Sequence, residues 1–133
     1  MTQHILVVDD EADIRQLTAL VLKTAGYEVT HVRNGVEAMA EVQQRPYDLV
    51  ILDIMMPEMD GWEACRQIKR QPGMENIPVM FLTARCQPLD RVIGLEVVHA
   101  DAYLTKPFSR RALITQVEHL IAATTDQTPE SPR

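Results

Sequence analysis

Cysteine is scarce in this 133-residue chain. The two present, Cys65 and Cys86, have neither metal-ligand nor redox spacing, and both are expected as reduced thiols. A basic excess is also missing. Thirteen Lys and Arg against nineteen Asp and Glu leave a net charge of −6, which argues against nucleic-acid binding, since phosphate contacts need a basic face. No apolar run approaches the roughly 20 residues of a membrane span. The N-terminus lacks the basic-then-apolar-then-small order of a signal peptide, because acidic residues interrupt it at once. There is no internal repeat and no sign of a second domain. A cytoplasmic, single-domain protein is the expectation. Its 46% hydrophobic and 24% charged residues are ordinary for a soluble domain, and its length suffices to enclose a core.

Two periodicities alternate along the chain. Apolar, β-branched runs at 4–9 (HILVVD), 27–33 (YEVTHVR), 47–53 (YDLVILD), 78–83 (PVMFLT) and 102–105 (AYLT) predict five strands. Between them, helical spacing predicts five helices. The first carries Ile14, Leu17, Val21 and Ala25 on one face and stops at Gly26. The second opens at Asn34 and Gly35, aligns Val36, Met39 and Val42, and stops at Pro46. A third buries Ala64, Cys65 and Ile68; a fourth spans 88–98; a fifth starts after Ser109 and aligns Leu113, Val117, Leu120 and Ile121. Residues 1–123 are expected to form the domain, and 124–133 (TTDQTPESPR), without an apolar anchor, a disordered tail.

Strands alternating with helices imply an α/β fold with a parallel sheet, because each parallel connection needs a long crossover. Strands apolar throughout imply helices on both faces. In such sheets ligands bind beyond the carboxyl ends of the strands. Here those ends are polar. The first strand finishes in Asp9 and Asp10, the third in Asp53, the fourth in Thr83, and the fifth in Thr105 and Lys106.

Gathering carboxylates is unfavourable: two charges 4 Å apart repel by about 4 kcal/mol at an effective dielectric near 20. Compensation is therefore expected. Mg²⁺ suits such a set, being a hard cation that takes one or two carboxylates and keeps several waters; Lys106 supplies further positive charge. A cation, an ammonium and a hydroxyl can together hold three phosphoryl oxygens during in-line attack by an oxygen nucleophile. One of the aspartates is the expected nucleophile, since a carboxylate can form an acyl phosphate. Thr83 has no evident base beside it.

The ordered motifs VVDDE, LVILDIMMPEMDG, FLTA and ADAYLTKPF resemble the receiver domain of bacterial two-component response regulators from about Ile5 to Ala122. The resemblance implies a flavodoxin-like sheet of strand order 2-1-3-4-5 and a phosphorelay switch rather than a turnover enzyme. Asp53 would be the phosphoacceptor, supplied by a sensor histidine kinase or phosphotransfer protein. Asp9, Asp10, Asp53 and the backbone carbonyl of Met55 would hold Mg²⁺. Thr83 and Lys106 would contact the phosphoryl oxygens, after a Lys106–Pro107 bond that is usually cis in the family. Tyr103 would move with Thr83 as the switch aromatic. The face of the 88–98 helix, the fifth strand and the last helix would bind a downstream effector.

Some positions depart from the family pattern. His99 stands where the family often has glycine. Ala102, Ala112 and Gln116 replace charges used by one common dimer mode, which puts that mode in doubt. Arg85, two residues beyond Thr83, is a candidate for influencing phosphoryl lifetime. Other classes fit less well. A Mg²⁺-dependent phosphatase of the haloacid-dehalogenase type wants an acid two residues after its nucleophile, where this chain has Met55. A receiver-like interaction module that is never phosphorylated usually lacks one of Asp9, Asp10, Asp53, Thr83 and Lys106, all present here. A flavodoxin needs a phosphate loop rich in Ser, Thr and Gly after the first strand.

Overall fold

The computed structural model describes residues 2–84 and 101–126. The elements are β1 (His4–Val8), α1 (Ala12–Thr24), β2 (Glu28–Val32), α2 (Gly35–Gln44), β3 (Leu49–Leu52), α3 (Gly61–Lys69), β4 (Val79–Thr83), β5 (Ala102–Thr105) and α4 (Arg110–Asp126). The strands form one parallel sheet in the order β2-β1-β3-β4-β5, as the sequence reading expects. Among the described residues there are four helices, not five. The helix expected at 88–98 lies outside the described residues, together with Cys86, Arg85 and His99. So do residues 127–133.

Successive side chains on a strand point to opposite faces, and this sorts the core into two layers. Leu6, Val8, Val50, Leu52, Val79 and Phe81 face α2 and α3, meeting Ala38, Val42, Ala64, Cys65 and Ile68. Ile5, Val7, Leu49, Ile51, Met80 and Leu82 face the other way, against Leu22 of α1 and Leu113, Val117 and Leu120 of α4. The three middle strands are enclosed on both sides, which is why their sequences read as unbroken apolar runs.

Local signals set the helix ends. Asn34 Oδ1 accepts the Glu37 amide, Asp60 Oδ1 the Glu63 amide, and Ser109 Oγ the Ala112 amide, each satisfying a first-turn donor. At the end of α1, Gly26 takes φ +102°. Its amide bonds Lys23 O and the next amide, of Tyr27, bonds Leu22 O, the pairing of a Schellman stop.

Two helical faces differ from expectation. On α1 the buried residues are Thr18, Ala19 and Leu22, while Leu17 is 50% exposed and Ala25 lies outside. The Thr18 hydroxyl donates to Ile14 O at 2.7 Å, so a polar residue enters the core already satisfied. The stripe 14-18-22 therefore replaces Leu17 and Ala25, while Val21 packs at the edge of that layer as expected. On α2, Ala38 and Val42 face inward as Val36 turns out to solvent. There the short Gly35 and Ala38 let the helix approach the sheet, and Met59 fills the space beside Gly35. The α3 and α4 faces match expectation.

Cys65 sits at the centre of one layer with no solvent exposure, and burial pushes its thiol up to about 11. Iodoacetamide at pH 8 should leave Cys65 unmodified in the native protein and alkylate it in denaturant. Peptide mapping reads the difference, and rapid native alkylation would contradict this packing.

Candidate functional site

Sheet hydrogen bonds run one residue past β1 and β3. The Asp9 amide donates to Val32 O at 3.2 Å and the Asp53 amide to Val8 O at 3.0 Å. These bonds fix two aspartates side by side on adjacent strands. Each then uses one carboxylate oxygen locally: Asp9 Oδ1 accepts the Glu11 amide at 2.9 Å, and Asp53 Oδ1 the Met55 amide at 3.2 Å. The second oxygen of each faces Lys106, whose Nζ lies 2.8 Å from Asp9 Oδ2 and 3.3 Å from Asp53 Oδ2. A third carboxylate joins them, Glu11 Oε1 at 3.0 Å.

Asp9 and Asp53 are buried and Asp10 is exposed. One carboxylate oxygen from each of the three lies within 4.8 Å of the others. Three carboxylates thus meet one ammonium with a fourth, Asp10, close by, and the imbalance marks a place for a cation. The donors are all hard oxygens, the set that suits Mg²⁺ rather than a thiol-loving metal. Burial alone would lower the Lys106 ammonium, but the bonds from Asp9 and Glu11 and the charges of Asp53 and Asp9 raise it above the ordinary lysine value. It stays charged throughout the neutral range. Burial raises the Asp9 carboxyl; bonds from Lys106 and the Glu11 amide oppose that rise without cancelling it. The two directions agree physically, because Asp9 shares its ammonium with two other acids.

These groups line an open cleft of about 210 Å³ bounded by Asp10, Glu11, Asp53, Met55, Ala84 and Lys106. It lies beyond the carboxyl ends of the adjacent strands β1 and β3, whose following helices α1 and α3 pack on opposite faces of the sheet. The Lys106–Pro107 peptide is cis, as expected. Thr83 ends β4 in register with Thr105; its side chain lies outside what is described. Tyr103 is buried, with its ring edge-on to Phe81 at 6.2 Å between centroids. It also borders a larger groove between β5 and α4, lined by Asp101, Gln116 and His119, away from the acidic cleft. Asp101 is not brought to the cleft. Its carboxylate accepts the Val79 amide at 2.8 Å and Lys69 Nζ at 3.2 Å, at the opposite end of β4.

Three contributors went unassigned in the sequence. Glu11 reaches Lys106 across 95 residues, which no local pattern announces. Arg15 Nη1 donates to Asp9 O at 3.0 Å and braces that corner from α1. Gly61 appears in the sequence only as the last residue of the LVILDIMMPEMDG motif. A Cβ there would collide with the Asp53 carbonyl and lie 2.8 Å from Ile54 Cα, so glycine is required where α3 crosses the strand end. The loop before it contains Glu58 at φ +70°, with the Met59 amide bonded to Pro57 O at 2.7 Å, a γ-turn that is rare for a non-glycine residue.

A doubly wound parallel sheet with an acid–lysine cleft at its switch point defines an α/β domain whose acidic site suits a cation. The family profile for the response regulator receiver domain matches residues 5–118, and the chain belongs to that family. It is 39% identical to the alkaline phosphatase synthesis transcriptional regulatory protein PhoP of Bacillus subtilis, over 98% of this chain and 53% of that protein. It is 41% identical to the phosphate regulon transcriptional regulatory protein PhoB of Pseudomonas aeruginosa, over 96% and 56%. The chain therefore spans about half the length of the curated relatives it matches. Among solved structures, the chemotaxis response regulator CheY4 of Vibrio cholerae superposes with a TM-score of 0.85 at 32% identity, covering 90% of this chain and 99% of that one. The receiver domain of a signal transduction histidine kinase from Syntrophus aciditrophicus gives 0.85 at 36%, covering 99% and 98%. No helix among the described residues is long and apolar enough to cross a membrane.

Gly61→Ala should destabilise the fold by about 1–3 kcal/mol, the typical cost of a side chain forced into a packed interior. Urea unfolding measures this. An unchanged midpoint would mean the loop yields without displacing Asp53.

Proposed function

We propose that the chain is a phosphorylatable receiver, with Asp53 the acceptor of a phosphoryl group from the phosphohistidine of a sensor histidine kinase or phosphotransfer protein. The observation that carries this reading is the single ammonium of Lys106 set between Asp9 and Asp53 in an open acidic cleft. An Asp53 carboxylate oxygen attacks phosphorus in line; the new O–P bond forms as the P–N bond to the imidazole breaks. Asp9, Asp10, Asp53 and the Met55 backbone carbonyl would hold Mg²⁺, which supplies positive charge to the phosphoryl oxygens. Lys106 pairs with one of those oxygens and the Thr83 hydroxyl donates to another. Water later attacks the acyl phosphate, so autocatalytic transfer and autodephosphorylation are the only chemistry required of the chain.

The output is a change of surface. A phosphoryl group adds about −1.5 to −2 of charge with three acceptor oxygens. Drawing Thr83 toward it alters the space beside Tyr103, which already lies against Phe81 and borders the β5–α4 groove. That groove, with residues 88–98, is the proposed effector face. The effector is a protein rather than nucleic acid, given the net charge of −6, and the setting is cytoplasmic. Residues 1–123 form the receiver, with its last helix continuing to Asp126 into the tail expected at 124–133.

Intact mass after incubation with Mg²⁺ and acetyl phosphate should show one added phosphoryl group, absent from Asp53→Asn and from a sample with EDTA. No adduct, together with no trapping by beryllofluoride, would leave a receiver-like interaction module instead. The metal has its own signature: Mg²⁺ at 100 times its Kd should stabilise the wild type by about 2.7 kcal/mol. Asp10→Asn should lose most of that gain in denaturant titrations. An equal gain in the variant would remove Asp10 from the ligand set.

A further inference from the structure

The three donors of the Lys106 ammonium are all occupied, by Asp9, Asp53 and Glu11. On the proposed function, Lys106 must also reach an oxygen of the incoming phosphoryl group while Asp53 is still a carboxylate, so one of those bonds is released as the phosphodonor approaches. The three partners differ in what release leaves behind. Asp9 and Asp53 are buried, with side chains 4% and 5% exposed. Taking the ammonium from either would remove a charge partner from a buried carboxylate, a costly change. The Glu11 side chain is 61% exposed, and water replaces Lys106 there readily.

A second observation singles out Glu11. It occupies the N-cap position of α1, yet its side chain makes no capping bond to that helix. Its amide instead orders Asp9 Oδ1, and its carboxylate turns to Lys106. It is also outside the group of carboxylates placed to share a cation.

We infer that Glu11 is a positioning residue that competes with the phosphoryl group for the ammonium of Lys106, and thereby limits how readily Asp53 is loaded. This rests on the phosphoacceptor reading of Asp53. Two effects act in the same direction. Glu11 holds one Lys106 donor until the phosphoryl oxygen displaces it, and its charge at the mouth of the cleft opposes an incoming dianion. An exposed pair is worth only a modest energy, so the competition is a tuning of several-fold rather than a block.

The test uses the whole chain at saturating Mg²⁺, with beryllofluoride and acetyl phosphate as probes. Glu11→Gln and Glu11→Ala should bind beryllofluoride about threefold tighter than wild type and reach half-maximal loading at lower acetyl phosphate, with a smaller change in the maximal rate. Asp13→Asn, which removes an exposed charge from the same first turn, is the control and should leave both unchanged. In metal-free protein, the ¹⁵N resonance of the Lys106 ammonium should shift and exchange faster in both Glu11 variants and stay put in Asp13→Asn. Unaltered Lys106 resonances with unaltered affinity would overturn the inference while leaving the phosphoacceptor reading intact. An equal gain in Asp13→Asn would also overturn it, reducing the effect to general charge. A wild type that takes neither probe at Asp53 would overturn both readings, whatever the Lys106 resonance shows.

Discussion

One ammonium among four carboxylates is the constraint on which this structure turns. Lys106 makes three charge-assisted bonds to acids drawn from two other parts of the chain. Without it, Asp9 and Asp53 would be adjacent buried charges whose carboxylates keep only backbone amide bonds from Glu11 and Met55. With it, the corner is tolerable but still negative. A site left with unbalanced charge is poor for stability and well suited to drawing in a cation, and proteins accept such local conflicts where function requires them.

The rest of the fold serves that balance. Parallel pairing puts every strand's carboxyl end on one edge, so acids from β1 and β3 and a lysine after β5 arrive together. Apolar layers on both faces hold the strands rigid. The bonds from Asp9 to Val32 O and from Asp53 to Val8 O extend that rigidity into the site itself. Gly61 then lets α3 begin hard against the Asp53 backbone, and the tight turn at Glu58 makes the loop short enough to do so. The cleft stays open to solvent because its far wall is Asp10, Glu11 and Met55, two exposed acids and an exposed thioether. A hydrated cation can enter from that side.

Legibility varied with the range of the interaction. Strand positions were readable because burial on both faces leaves continuous apolar runs, and β5 was expected with the bounds it has. Caps at Asn34 and Ser109 and the stop at Gly26 were readable because the chemistry lies within four residues. The α1 and α2 faces were misread at Leu17, Ala25 and Val36. Spacing alone permits several stripes on a helix, and choosing among them depends on what the sheet presents, including a threonine that can satisfy itself inside. Glu11 was visible as an acid near others, but its partner is 95 residues away.

By itself, the amino-acid sequence determined the alternation of strands and helices, the parallel sheet, and the delivery of Asp9, Asp10, Asp53 and Lys106 to strand ends. Those follow from periodicity and from residue types next to one another in the chain. Tertiary structure alone decided which oxygen of each aspartate faces Lys106, that Glu11 takes the third donor, that Arg15 braces Asp9, and that Asp101 serves the far end of β4. Such outcomes depend on angstrom-scale distances between segments remote in sequence. Electrostatic and hydrogen-bond energies change steeply over those distances, and spacing along the chain carries no record of them.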